Sequence, residues 1–285
     1  MLVNGHLRSM LSVPGSSERF IGRARDVRAD AIAFDLEDSV AAADKESARR
    51  LVGSMLRGFP AHGRELWVRP NALDSGLLEA DLDAVVGPGL HGVHLPKAEA
   101  PQTVSTVDHY LTYLERVRGL APGSVRLMAW IESARALAQV EQICVASPRL
   151  VGVSLGSEDY TASLGVQRTK DAAELSYARA RLANAAAAAG CAALDGPETD
   201  FRDLPLFERQ ARAARSVGFG GKFCIHPDQI ALANRVFAPD EGEIARARRV
   251  ADAFEAAGEE AGAIAVDGSM VDRPVYLRAL RVLGR

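Results

Sequence analysis

The sequence has few cysteines and no long apolar segment, and both absences limit the class of protein. Its three cysteines, Cys144, Cys191 and Cys224, are scattered over 285 residues without a CxxC pair. This spacing argues against a disulfide framework and a structural zinc site, and it favours a reducing cytoplasm. No apolar run approaches the roughly 20 residues of a membrane helix, and the N-terminus lacks the apolar core of a secretory signal. We therefore expect a cytoplasmic protein without a membrane segment.

A surplus of basic residues is also missing. The formal net charge is −3, so the sequence offers no broad basic face for nucleic acid. Hydrophobic residues make up 48% of the chain and charged residues 25%, values that are typical of globular proteins and exclude a largely disordered chain. These values indicate a folded protein of enzyme size with no nucleic-acid partner.

Short apolar segments alternate along the chain with longer amphipathic segments. Alternation of this kind is typical of parallel βαβ units, and eight strands favour a (β/α)8 TIM barrel, with a doubly wound open sheet as the alternative. The predicted strands are 9–13, 31–36, 65–70, 92–97, 126–131, 151–155, 191–195 and 222–227. Helices are predicted between them, for example at 43–57, 133–146, 171–189 and 203–217.

The alternating pattern stops after Phe237. A helical segment from about 240 to 257 is followed by a glycine-rich segment and a short final helix. We therefore predict a barrel over residues 1–237 and a C-terminal helical extension over 238–285.

Polar residues follow the predicted strands, at the end of the barrel where such folds place their chemistry. Glu132 and Asp159 end neighbouring strands, so their carboxylates are expected to converge. Two carboxylates with open water positions suit Mg²⁺, and the absence of His and Cys from the pair argues against zinc. The alternative is that both acids only cap helices.

Three basic residues at strand ends also have two interpretations each. Arg69 can bind a carboxylate or stabilise an oxyanion, or it can form an ion pair with Glu37 or Asp38. Lys97 has the same two interpretations. His226 either binds substrate or is a hydrogen-bonded core histidine.

Nine segments of the chain match one known family in order and in spacing. They read RSMLSVPGS, FDLEDSVAAADKESAR, VRPN, HLPK, WIES, LGSEDYTASLG, ALDGP, GFGGKFCIHPDQI and DGSMVDRP. From Arg8 to about Leu280, the chain resembles the citrate lyase β-subunit family of the HpcH/HpaI aldolase superfamily, which includes malyl-CoA and citramalyl-CoA lyases. One position departs from the family, because Ser17 stands where an arginine often follows the PGS segment.

The resemblance implies a barrel that assembles as a homotrimer or hexamer and carries a site for Mg²⁺ and a coenzyme A thioester. It implies Mg²⁺ ligands at Glu132 and Asp159, and a catalytic aspartate at Asp272 that the extension lends to a neighbouring subunit. Arg69 corresponds to the family's substrate arginine, with Glu37 and Asp38 expected to orient it or the waters of the metal. The remaining expected contacts to substrate or coenzyme A are Ser12, Arg23, Lys97 and His226.

The chemistry implied by the resemblance is Mg²⁺-dependent carbon–carbon cleavage. A 3-hydroxy-3-carboxyacyl thioester of the citryl-, malyl- or citramalyl-CoA type would give a keto acid and an acyl thioester, or would form from them. Arg69 would stabilise the enolate oxygen, and Asp272 would carry the proton. Three alternatives remain: an aldolase that acts without coenzyme A and releases pyruvate, an acyl-CoA thioesterase, and a non-catalytic subunit that binds a carrier protein.

Overall fold

Eight parallel strands, each hydrogen-bonded to the next, close into a barrel, because β1 also pairs with β8. This confirms the predicted (β/α)8 fold and excludes the open sheet. The strands are β1 (Ser9–Pro14), β2 (Ala31–Asp35), β3 (Glu65–Arg69), β4 (Gly92–Leu95), β5 (Arg126–Ile131), β6 (Leu150–Leu155), β7 (Ala192–Asp195) and β8 (Gly221–Cys224). The structure is a computed structural model that describes residues 7–258 and 262–285.

Helices connect the strands and cover the outside of the barrel. They are α1 (Glu18–Arg23), α2 (Lys45–Leu56), α3 (Leu78–Val85), α4 (Pro101–Arg118), α5 (Ala134–Ala138), α6 (Val140–Cys144), α7 (Ser157–Leu164), α8 (Ser176–Ala189), α9 (Leu204–Ser216) and α10 (Pro227–Val236). The segment predicted as one helix at 133–146 is two short helices that meet at Gln139. The Gln139 side chain donates a hydrogen bond to the carbonyl of Glu99 at 2.9 Å, which fixes the break.

Apolar side chains fill two layers, as expected of a barrel. The larger layer lies between strands and helices and consists mainly of Val, Leu, Ile and Ala. The smaller layer fills the barrel interior and includes Trp67, Trp130, Met128 and Phe223. Gly92 makes room for this packing, because a Cβ at that position would lie 2.3 Å from the Trp67 ring.

The amino end of the barrel is closed by a buried ion pair. Arg126 lies 3.1 Å from Glu65, which also accepts a hydrogen bond of 2.9 Å from the Trp67 indole. The interior of the barrel is therefore filled at this end, and the two buried charges there are paired with each other.

The chain folds into two compact units, one ending at Phe237 and the other beginning at Ala238. The second unit contains α11 (Glu241–Ala257), the antiparallel strands β9 (Ala263–Val266) and β10 (Ser269–Asp272), and α12 (Arg273–Val282). Its own small core includes Val250, Phe254, Val271 and Ala279. The extension is therefore not only helical, since it carries a hairpin. Within the part of the chain that the structure describes, no helix is both long and apolar enough to cross a membrane.

Candidate active site

Arg69 and Asp35 are paired by two hydrogen bonds at the carboxyl end of the barrel. They end adjacent strands and are direct neighbours in the β2–β3 register. Arg69 Nε donates to Asp35 Oδ1 at 2.7 Å, and Arg69 Nη2 donates to Oδ2 at 2.6 Å. Asp35 also accepts the backbone N–H groups of Glu37 and Ser39 at 2.9 and 3.2 Å. Burial disfavours the charged form of Asp35, but the hydrogen bonds and charge of Arg69 outweigh it and lower the pKa of the carboxyl.

Glu37 lies between two cations. Its two carboxylate oxygens are 3.1 Å from Arg69 Nη1 and 3.1 Å from Lys97 Nζ, although neither contact has the alignment of a hydrogen bond. Burial raises the pKa of Glu37, and the negative charge of Asp38 adds to the rise. The positive charge of Arg69 lowers this pKa but does not cancel the rise. Asp38 is more distant, at 3.8 Å from Arg69 Nη1, and its side chain is 55% exposed. The structure therefore brings Arg69, Lys97 and Glu37 together and leaves Asp38 at the edge.

Glu132 follows β5 directly and is buried. Its Oε1 accepts the backbone N–H of Lys97 at 2.5 Å, while its Oε2 accepts no hydrogen bond from the residues that the structure describes. Burial raises the pKa of Glu132 to about 8, and the charges of Glu37 and Asp159 contribute to this rise. A Cβ on Gly156 would lie 2.4 Å from Glu132 Cβ and 2.7 Å from Oε2, so only glycine leaves space for this carboxylate.

Asp159 lies in the first turn of α7 and is exposed to solvent. Its negative charge contributes to the raised pKa of Glu132, of which burial is the main cause. Within residues 7–258 and 262–285, no three or more His, Cys, Asp or Glu side chains are grouped as a metal site. A cation here would take oxygens from Glu132 and Asp159 and its other ligands from water and substrate, which is the mode that Mg²⁺ prefers. The free Oε2 beside Gly156 is consistent with such a ligand.

Ser12, Arg23 and His226 line one cavity of about 330 Å³ at the same end of the barrel. The cavity lies against β1, α1 and the start of α10, and Phe20 and Phe201 contribute apolar walls. The Phe201 ring stacks on the His226 ring at a centroid distance of 5.3 Å. The structure thus brings together three side chains that are far apart in sequence.

Two of the polar residues near this cavity also cap helices. His226 Nδ1 accepts the N–H of Asp228 at 3.3 Å at the start of α10. Ser17, at the position that departs from the family, accepts the N–H of Phe20 at 3.3 Å and begins α1. Capping therefore accounts for the orientation of both side chains, whatever they bind in addition.

Asp272 belongs to the C-terminal unit. It ends β10 and caps α12, where its Oδ1 accepts the N–H of Val275 at 3.2 Å. The side chain is partly buried.

Asp35 is a residue of this site that the sequence analysis did not select. The signal was a carboxylate at the end of an otherwise apolar segment, a position where only a paired charge is stable. Asp195, at the end of β7, has a different environment: it is held by Arg179 at 3.0 Å and by Lys222, in a buried cluster that includes Gln210 of α9. That cluster joins the barrel to its helices.

Comparison with known proteins gives consistent matches over nearly the whole chain. The family described as HpcH/HpaI aldolase/citrate lyase matches residues 8–227. The citrate lyase subunit beta of Leuconostoc mesenteroides subsp. cremoris is 40% identical over 277 residues, covering 97% of this chain and 92% of that protein. The L-malyl-CoA/beta-methylmalyl-CoA lyase of Cereibacter sphaeroides is 35% identical over 289 residues, covering 93% of this chain and 90% of that protein.

A similar solved structure is that of protein CitE from Mycobacterium tuberculosis, in complex with magnesium, acetoacetate and coenzyme A. It has a TM-score of 0.79 and 32% sequence identity, and the match covers 100% of this chain and 98% of that one.

Proposed function

This chain belongs to the HpcH/HpaI aldolase/citrate lyase family and is a lyase, and from that premise we propose that it is a Mg²⁺-dependent carbon–carbon lyase of coenzyme A thioesters. Its substrate is a 3-hydroxy-3-carboxyacyl thioester of the citryl-, malyl- or citramalyl-CoA type. The observation that carries the proposal is that Glu132, with one unpaired oxygen, and the rigidly held Arg69 share one end of the barrel. The same reaction run backwards condenses an acyl thioester with a keto acid.

Glu132 and Asp159 are the residues that would hold the metal. Mg²⁺ held there would supply positive charge that stabilises the negative charge of the substrate. The burial that raises the pKa of Glu132 also excludes water from one side of the site, which strengthens each electrostatic contact.

Arg69 stabilises the charge that forms when the carbon–carbon bond breaks. The hydroxyl passes its proton to Asp272 and becomes the keto oxygen, while the electron pair of the broken bond passes to the thioester and forms an enolate. Because Asp35 fixes two donor atoms of Arg69, its remaining nitrogen Nη1 faces Glu37 and the open end of the barrel. A donor that is oriented before the reaction loses no energy to reorganisation as the enolate oxygen becomes negative.

Asp272 protonates the enolate carbon, and the products are then a keto acid and an acyl thioester. We propose that the extension, residues 238–285, supplies this aspartate to the barrel of a neighbouring copy in a homotrimer or hexamer. The hairpin that ends in Asp272 supports this role, because 71% of the surface of Met270 in that hairpin is exposed. Exposed methionine side chains are typical of surfaces that contact another protein chain.

The cavity beside β1 and α1 takes the coenzyme A part of the substrate. Arg23 offers a positive charge to phosphate, while Ser12, His226 and the apolar walls contact the rest of the cofactor arm. The complex of the Mycobacterium tuberculosis protein with magnesium, acetoacetate and coenzyme A supports this class of ligand for the present chain.

A serine thioesterase is less consistent with the structure. The segment 152–156 reads GVSLG and matches the spacing of a nucleophile elbow, which requires a strand-to-helix turn. Ser154 instead lies inside β6, with its Oγ buried and without a hydrogen-bond partner among the described residues. No general base in that part of the chain therefore activates it.

A product assay tests the proposal. The protein is incubated with malyl-, citramalyl- and citryl-CoA in Mg²⁺, and the products are identified by mass spectrometry. We expect a keto acid and an intact shorter acyl-CoA from at least one substrate, and loss of this activity in Glu132→Gln. Free coenzyme A with the uncleaved acid would identify a thioesterase. Cleavage of a free hydroxy-keto acid, tested separately, without cleavage of any of the thioesters would identify an aldolase. No reaction with any substrate, together with no binding of Mg²⁺, would identify a non-catalytic subunit that binds a carrier protein.

A further inference from the structure

Lys97 has a backbone conformation that an L-residue rarely adopts. Its φ is +49°, in the left-handed region, and it stands at the carboxyl end of the barrel after β4. This conformation is unfavourable for a residue other than glycine, so the surrounding structure must compensate for it.

The strained residue contacts the two buried site carboxylates, and its Nζ also lies 4.0 Å from the exposed Asp38. Its backbone N–H donates to Glu132 Oε1 at 2.5 Å, and its Nζ lies 3.1 Å from Glu37 Oε1. The bond to Glu132 fixes the orientation of the peptide plane, and φ then decides where the rest of the residue points. At +49°, φ directs the side chain toward Glu37 while the N–H remains on Glu132.

The loop that follows Lys97 is anchored to β5 and to the segment directly after it. The N–H of Ala98 donates to the carbonyl of Trp130 at 3.3 Å, and the side chain of Ser133 donates to Glu99 at 2.7 Å. The N–H of Lys97 is therefore held in place relative to Glu132 by bonds that do not involve its side chain.

We infer that Lys97 is the positioning residue of the metal site: its backbone N–H holds one oxygen of Glu132 so that the other faces the cation, and its ammonium holds Glu37 beside Arg69. This inference rests on the proposed function, since it requires Glu132 to be a metal ligand. It gives Lys97 a role through Glu132 and Glu37 in place of the direct substrate contact expected from the family resemblance.

Two neutral substitutions separate the backbone from the ammonium. Lys97→Asn removes the charge but tolerates left-handed φ, whereas Lys97→Val removes the charge and disfavours that conformation because it is β-branched. If Lys97→Val does not fold, Lys97→Thr, with the same shape, takes its place. Both are compared with the wild-type chain and Glu132→Gln for Mg²⁺ affinity by isothermal titration calorimetry, with folding checked by circular dichroism.

We expect Lys97→Asn to bind Mg²⁺ at least as tightly as wild type, because a positive charge near the cation has been removed. Lys97→Val should bind about tenfold more weakly than Lys97→Asn, the ratio expected for about 1–2 kcal/mol of backbone strain. In Lys97→Asn the KM for the thioester should stay within about twofold of wild type, since the side chain does not touch substrate.

The controls distinguish the two proposals. Equal Mg²⁺ affinity in Lys97→Asn and Lys97→Val, or equal loss in both, overturns the positioning role. The metal site itself stands if Glu132→Gln binds Mg²⁺ more weakly than wild type. A rise of about tenfold in the KM of Lys97→Asn would show that Lys97 contacts the substrate directly. A wild-type protein that binds no Mg²⁺, or a Glu132→Gln variant that binds it unchanged, overturns the metal site and the positioning role together.

Discussion

Asp35 and Arg69 face each other across neighbouring strands and share two parallel hydrogen bonds of 2.7 and 2.6 Å. Asp35 is 1% exposed, so its charge is stable only because Arg69 neutralises it. In return, the carboxylate fixes the plane of the guanidinium and leaves Nη1 as the atom that faces Glu37. The barrel thus holds its candidate oxyanion-stabilising group in place before any substrate arrives.

Asp35→Asn should reduce both stability and activity. The substitution removes the counter-ion that makes two hydrogen bonds with the buried Arg69, which costs about 3 kcal/mol of unfolding free energy. Because the guanidinium of Arg69 is then no longer held in one orientation, kcat should also fall by about 100-fold. KM should change little, because Arg69 acts mainly on the enolate. Urea denaturation and steady-state kinetics measure the two effects.

The exposed ion pair of Arg50 and Glu46 provides the matched control. Glu46→Gln should change the unfolding free energy by no more than about 0.5 kcal/mol. If Asp35→Asn is as mild as this control, Asp35 does not hold Arg69.

Gly156→Ala should abolish Mg²⁺ binding with a smaller effect on folding. The added Cβ would lie 2.4 Å from Glu132 Cβ and 2.7 Å from Oε2, so the carboxylate must move away. Calorimetric titration with Mg²⁺ and a thermal melt check this prediction. Gly22→Ala is the control, because a Cβ there meets nothing within 4 Å and the residue lies in α1. Tight Mg²⁺ binding by Gly156→Ala would show that Glu132 Oε2 is not a ligand.

Arg23→Ala and Phe201→Ala should weaken binding of the thioester without changing the chemical step. Both residues line the cavity of about 330 Å³, which is distinct from the group around Glu132. We expect KM to rise about tenfold and kcat to change by less than about twofold. Arg212→Ala, which removes an exposed arginine of α9, serves as the control for lost charge. A fall in kcat with unchanged KM would place the coenzyme A arm elsewhere.

Glu115 should make stability depend on pH in the acid range. Burial opposes its ionisation, but hydrogen bonds from Arg149 and from the backbone of Val125 and Gly123 outweigh this and lower its pKa. A lowered folded-state pKa means that the stabilisation is complete above the unfolded value of about 4.3 and is lost as the pH falls further. Glu115→Gln should therefore be about 2–3 kcal/mol less stable than wild type at pH 7.

Urea denaturation at several pH values measures this difference between Glu115→Gln and wild type. The gap should narrow steadily as the pH falls from about 5 toward 3. A gap that is constant with pH would mean that the ionised form of Glu115 contributes nothing.

The strands were predictable because each is a short apolar segment bounded by charged residues or glycine. The end of β4 was predicted less well. The strand was predicted to reach Lys97 but ends at Leu95, because Pro96 has no backbone N–H and the backbone of Lys97 is in the left-handed region. The hairpin of the extension was also missed, although Asp267 and Gly268, both with positive φ, are typical of a two-residue turn. Alanines and glycines around that turn hide the alternation of a strand.

The contacts within the site depend on register and not on local sequence. Nothing near Asp35 in the sequence indicates that its partner is 34 residues away, because the parallel pairing of β2 and β3 sets that relation. In the same way, the contact between Glu132 and the backbone of Lys97 depends on a φ value that a lysine gives no reason to expect. Residue types at strand ends therefore predicted that Arg69 lies near Glu37 and Asp38, but not that Asp35 is its main partner or which atoms each side chain presents.

The most direct test of the metal-dependent site is calorimetric titration of pyruvate, oxaloacetate or glyoxylate into the protein with and without Mg²⁺. If Glu132 holds the cation that binds the keto acid, at least one of these acids will bind wild type in Mg²⁺. That binding will disappear in EDTA and in Glu132→Gln. Keto-acid binding that is equally strong in EDTA, or that persists in Glu132→Gln, would contradict the proposed site.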